Sequence, residues 1–407
     1  MSAGQRTRHE APRHVRGPAH PARGTPLAVC GHLPFGATRV RHRGEMTTPV
    51  PLWRPLTPDD VDAWAALFAA AEQHEPTGEH IGREELLDDL HDPGLPPEAT
   101  TSAWLDGRMV AYALLRVQDT ADTVHRARLE ALVHPGQRNA RMARQLLDWV
   151  EETSAQAHAD TRGRVEREVQ IFVHDRQRWM ADVLASGGFR PVRWFVDMAM
   201  DITASEPSAA PPGGLRVVPF GEEYAEAARV AYNDAFREHW GSAEIAPDAW
   251  LHKVRATTFR PELSFLALTP ENEVASFVLV SHYPAEHQTT GRKELSITNV
   301  GTRQAWRRQG MAGTLIGRAL AAGHERGYQG ARIGVDTSNQ SGAPRLYTGI
   351  GFTVVHRWAV YSRRVRRDRA PVVAFGSESD HQGTVATRSP WEGGATRTTH
   401  PCPPGRT

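Results

Sequence analysis

The stretch ELSITNVGTRQAWRRQGMAGTLIGRAL, residues 294–320, decides how this chain folds. Its first part, Glu294–Val300, predicts a strand that runs through a short turn directly into a helix. The helix is amphipathic, with Met311, Ala312, Leu315, Ile316, Ala319 and Leu320 on one face. Gly310 and Ala312 occupy its first turn, preceded by Arg307 and Arg308. A helix N-terminus presents unpaired backbone N–H groups and the positive end of the helix dipole. Residues with little or no side chain let a polyanion approach that backbone. A pyrophosphate is held this way without a Walker lysine.

Further along, IGVDTSNQSGAPRLYTGIGF (residues 333–352) predicts a strand, a short helix and a Gly-Phe step into closing strands. Together the two segments resemble the GCN5-related N-acetyltransferase (GNAT) family. Arg307, Gly310 and Ala312 supply the three fixed positions of its acetyl-CoA motif, Arg/Gln-x-x-Gly-x-Gly/Ala; Asn339, Tyr347 and Gly351-Phe352 match its second motif. The resemblance implies a mixed sheet that splays between its fourth and fifth strands. The pantetheine arm of acetyl-CoA would enter that gap against the backbone of Val300, Gly301 and Thr302. Its pyrophosphate would sit on the amides from Arg308 through Gln309, Gly310, Met311 and Ala312 to Gly313. Asn339 would bond the pantetheine or its neighbouring backbone.

The chemistry so implied needs a proton acceptor for the amine, an oxyanion donor, and a proton for the departing thiolate. The resemblance points to Tyr347 for the last role. A phenol near pKa ~10 facing a thiol near ~8.5 makes that transfer uphill by about 2 kcal/mol. Amides at Val300 and Thr302 suit the oxyanion. Glu294, early on the fourth strand, matches where many relatives place a carboxylate acting through water; it reads equally as an exposed strand residue.

Working outward, the same order of elements occurs twice. LRVVPF after the Pro- and Gly-rich stretch Thr203–Gly214 mirrors LWRPLT near Leu52. Thr57, Pro58 and Asp60 form a capping box for the first helix. ASGGFRPV and TGIGFTVV are offset by 163 residues (352 − 189), and RNARMARQLL and RRQGMAGTLI by 169 (310 − 141), which marks an internal duplication. The expected organisation is α/β, with two tandem GNAT-like domains, each a mixed, splayed β-sheet flanked by helices. They span 52–202 and 215–365, joined by a linker at 203–214, between disordered tails at 1–45 and 366–407. The first copy is degenerate: Arg141 stands for Gly310, Leu184 for Tyr347 and Arg176 for Asn339. Catalysis is therefore expected in the second.

Composition narrows the partners. Lys+Arg 48 against Asp+Glu 47 gives a net charge of +1, which supplies no long-range field for nucleic acid or an anionic membrane. The two cysteines, Cys30 and Cys402, both fall in the tails, which excludes a structural disulfide or a CxxC metal site in the folded parts. No apolar run approaches the roughly 18 residues of a membrane span. A cytoplasmic enzyme without metal fits, taking acetyl-CoA as co-substrate and a small-molecule primary amine as acceptor. In this family the helices after the first strand roof the acceptor site, which nominates Tyr232, His239, Trp240 and Trp250, with Asp234, Glu238 or Asp248 greeting a cation. Two alternatives stay open. Tandem architecture with an active second half also resembles mycothiol synthase, which acetylates a cysteinyl amine; and a non-catalytic CoA-binding module shares the motifs.

Overall fold

The computed structural model describes residues 49–118, 124–162, 165–203, 214–338 and 342–365. The first half runs β1 (Leu52–Arg54), α1 (Val61–His74), α2 (Arg83–Leu90), β2 (Thr100–Leu105), β3 (Arg108–Gln118), β4 (Val124–Val133), α3 (Ala140–Arg162), β5 (Glu166–His174), α4 (Arg178–Ser186) and β6 (Arg190–Asp201). The second runs β7 (Arg216–Pro219), α5 (Ala225–Phe236), α6 (Pro247–Arg255), β8 (Phe265–Leu268), β9 (Val274–Ser281), α7 (Pro284–Thr290), β10 (Glu294–Thr302), α8 (Met311–Glu325), β11 (Gly330–Asp336), α9 (Ala343–Ile350) and β12 (Thr353–Val365). The order repeats as expected, except that α7 has no counterpart in the first half and no clear signal in the sequence. The expected tails, and most of the linker, lie outside the described residues.

Local chemistry sets the element ends. The capping box at Thr57 is present: its backbone N–H and hydroxyl both donate to the Asp60 carboxylate, at 2.9 and 2.8 Å. It closes a 3-10 turn, Pro58–Asp60, that leads into α1. The apolar face of α8 packs as its periodicity requires. Met311, Leu315, Ile316, Ala319 and Leu320 bury against Leu295 and Ile297 of β10 and Ile333 and Val335 of β11. Each large side chain so buried contributes about 1.5–3 kcal/mol. Met142, Leu146 and Val150 of α3 do the same against Leu129 and Ile171 in the first half.

The two halves share one mixed sheet of twelve strands, in the order β1-β2-β3-β4-β5-β12-β6-β11-β10-β9-β8-β7. The last strand of each half has crossed into the other. β6 lies between β11 and β12, and β12 lies between β5 and β6. Val196 and Met198 of β6 are buried in the second half's core. Across the same seam Trp358 donates to Asp197 at 2.5 Å, Arg193 pairs with Asp336 at 2.7 Å, and Ser362 donates to Glu168 at 2.7 Å.

Candidate active site

Strands β10 and β11 run parallel and paired only from Glu294/Gly330 to Ile297/Ile333. Beyond that point β10 keeps β9 on one side and, among the described residues, has no strand on the other. The cause is local. The β9–β10 ladder skips Thr298, so Ile297 opposes Val280 and Asn299 opposes Leu279. Such a bulge bends its strand, and this one falls one residue past the last β10–β11 pair. Gly301 sits on the far side of it, directly over Phe277. A Cβ there would lie 2.2 Å from the ring, so only glycine fits.

The strand then turns into α8. Arg308 takes φ +62° and Gly310 φ +80°; a left-handed arginine is strained, and such strain gathers at functional loops. No side chain caps α8, and a Cβ added at Gly310 would meet nothing within 4 Å. The helix therefore opens onto free space with its first amides uncapped. Arg307 does not point there. Its guanidinium donates to the carbonyls of Thr302 and Ala235, both at 3.1 Å, and lies 3.5 Å from Glu238. Arg138 does the equivalent work in the first half, bonding the Val133 carbonyl at 3.2 Å and Glu75 at 2.7 Å. The arginine of the motif is a clamp on the strand-to-helix turn in both copies.

Tyr347 lies on α9 with its ring buried edge-on to Phe352, and its hydroxyl makes no hydrogen bond among the described residues. Burial pushes its pKa up to about 12. Glu294 is half-buried at the start of β10, and both its carboxylate oxygens are taken. One accepts from Arg292 and the other from Arg332, the latter at 2.6 Å. Both oxygens of the carboxylate therefore serve guanidinium groups. Asn339 lies outside the described residues.

The first half keeps the splay and loses the opening. Its parallel pair β4–β5 stops at Leu129/Ile171, but the β3–β4 ladder runs without a register shift. The N-terminus of α3 is closed by its own sequence: the Asn139 side chain accepts from the Met142 amide at 3.0 Å. Arg176, at the Asn339 position, donates to the Pro76 carbonyl at 2.8 Å, and Leu184, at the Tyr347 position, is core.

On the sheet face away from α8 lies a cavity of about 480 Å³, lined by both halves. Ser296, Arg332 and Gly334 form its floor, with Asp197 of β6. His252 and Thr258, Tyr283 and Glu286 close one side; Glu79, Glu85, Asp88 and Asp89 of the first half close the other. The residues nominated from sequence are elsewhere. Trp250 is buried and donates to the Ala225 carbonyl, while Tyr232 packs on Phe236, Trp250 and Phe277. Trp240 lies under Arg193, His239 packs on Phe236, and Asp248 accepts from the Ala249 amide. Asp234 pairs with Arg237 and Arg303, and Glu238 with Arg307. A sequence does not show that the first half's α1–α2 loop reaches the second half's sheet. The acid-rich run Glu79–Asp89 was the signal available, and it reads as a solvated helix face. Among the described residues no group of side chains has the arrangement of a metal site, and no helix is long and apolar enough to cross a membrane.

The second half thus presents a parallel strand pair that splays at a bulge and feeds an uncapped helix. Residues 225–352 match the acetyltransferase (GNAT) family model, and the chain carries a domain of that family. Among solved structures it is similar to a GCN5-related N-acetyltransferase from Sphaerobacter thermophilus. That likeness has 25% identity and a TM-score of 0.60, over 78% of this chain and 96% of that one. It shares its fold with a tandem GNAT protein from the clavulanic acid biosynthesis pathway, at 16% identity and a TM-score of 0.58, over 79% of this chain and 100% of that one. No curated protein sequence matches the chain.

Proposed function

We propose that the second half transfers the acetyl group of acetyl-CoA to a primary amine of a small molecule, and that the first half does not catalyse. The observation that carries this reading is the opening at Gly310: an uncapped helix N-terminus facing free space, at the end of a strand freed by a bulge. Those features suit a pyrophosphate on the amides from Arg308 to Gly313 and a pantetheine arm along Val300–Thr302. Arg307 supports the turn in this reading and leaves the phosphates to the backbone. Tyr347 donates the proton to the departing thiolate, and Glu294 anchors Arg332 on the floor of the acceptor cavity.

Isothermal titration of acetyl-CoA into the full chain tests the assignment. Gly310→Glu places bulk and negative charge at the opening and is expected to abolish binding, while the far-UV spectrum stays unchanged. Normal binding by a folded Gly310→Glu protein sinks the reading. Amine-dependent release of free thiol then separates an enzyme from a CoA-binding module.

A further inference from the structure

The duplication places equivalent loops on opposite halves, and only the first has an acid directly after its glycine. Gly78 and Gly241 are 163 residues apart (241 − 78), the offset of the two Gly-Phe steps. Each follows the first helix of its own half and crosses onto the sheet of the other. A Cβ at Gly78 would lie 2.8 Å from His356 and 3.6 Å from Arg332; one at Gly241 would lie 3.9 Å from Gln170. Past the glycine, the second half has Ser242 and Ala243, whereas the first has Glu79 and His80. Glu79 lines the cavity over β10 and β11. It is set deep among protein atoms yet open to the cavity, and its carboxylate has no hydrogen-bond or ion-pair partner among the described residues.

The wall's one arginine does not neutralise it, and its two histidines, His80 and His252, make no ion pair with it. Arg332 is already shared by Glu286 and Glu294. Asp89 pairs with Arg116, but Asp88 holds only Thr257, Asp197 only the Trp358 indole, and Glu85 only the Gly82 amide. Tyr283, on the same wall, makes no hydrogen bond with its hydroxyl among the described residues. Several carboxylates gathered around one cavity without a matching cation repel one another, and a bound cation relieves that repulsion. A single ammonium that must become a neutral amine to react leaves that repulsion standing.

We infer that the acceptor carries at least two amino groups, and that Glu79, supplied by the first half, binds the one that stays charged while the other is acetylated above Ser296 and Gly334. This rests on the reading that the second half transfers acetyl groups. It makes the first half part of the acceptor site. Burial, and then the carboxylates of Asp197, Glu130 and Glu72 against the opposing pull of Arg128, push the Glu79 pKa up to about 7. Near neutrality the empty site therefore holds part of a proton, which a bound dication expels.

The test is titration of spermidine into the CoA-loaded full chain at pH 7, in two buffers of different ionisation enthalpy, for the wild type and Glu79→Gln. The expected result is proton release on binding to the wild type, and affinity lower by roughly 10-fold or more in the variant with proton release lost. Acetyl-CoA affinity should be equal in both. Glu79 bonds to nothing through its side chain, so the variant should fold normally. Absence of spermidine binding, or equal binding and proton release in the two proteins, overturns the inference. Failure of the wild type to bind acetyl-CoA overturns the functional reading instead.

Discussion

At Tyr347 the tertiary environment changes the chemistry that the residue's identity suggests. With the phenol pushed to about 12, complete transfer of its proton to a thiolate near pKa ~8.5 is uphill by about 5 kcal/mol, against about 2 for a free tyrosine. On the proposed reading the proton moves only as the C–S bond breaks, and the phenol chiefly offers the sulfur a hydrogen bond. Replacing it with Phe keeps the ring against Phe352 and is expected to lower kcat by roughly 10–10²-fold, with acetyl-CoA affinity unchanged. Unchanged kcat removes Tyr347 from the mechanism. Because the raised pKa keeps the phenol protonated until the pH approaches about 12, an alkaline limb between pH 8 and 10 belongs to another group. Such a limb should persist in Tyr347→Phe, and its disappearance would contradict this assignment.

At the scale of elements the two copies differ in how a helix begins. α3 and α8 share an amphipathic face and a clamping arginine, but Asn139 closes the first helix and Gly310 leaves the second open. Arg141 is exposed on the closed one. Arg141→Glu is accordingly expected to leave steady-state acetyl transfer within about twofold of the wild type. Losses like those of Gly310→Glu would mean that the first copy is at work. Sequence exposed the glycine-to-arginine change because it falls in a motif. It gave no warning of the missing bulge in β4, since a bulge depends on how β3 and β4 register against each other.

At the scale of the molecule the strand exchange makes the halves mutually dependent. A chain divided between residues 203 and 214 leaves β6 on the first fragment, although its Val196 and Met198 fill the second half's core. Each fragment alone would lack the strand that covers its own edge, β12 over β5 or β6 over β11. Separately expressed fragments are expected to aggregate or remain unfolded, and coexpressed fragments to copurify as one pair. Two soluble, monomeric fragments with native circular dichroism would show that the exchange is dispensable.

The sequence by itself determined the element order, its repetition and the glycine that opens the second copy's strand-to-helix turn. Those features are local: apolar periodicity, a glycine at a helix start and a repeated Gly-Phe step depend on residues close along the chain. Element ends and Met311–Leu320 packing followed for the same reason. The tertiary structure alone decided three matters. It sent β6 and β12 across the seam, turned Glu294 into a partner of two arginines, and brought Glu79 to a cavity whose floor includes residues of β10 and β11 more than two hundred positions away. Each depends on which strand pairs with which, and a last strand can satisfy its hydrogen bonds and bury its apolar face against either half. That choice is made by the whole sheet, so no short stretch of sequence records it.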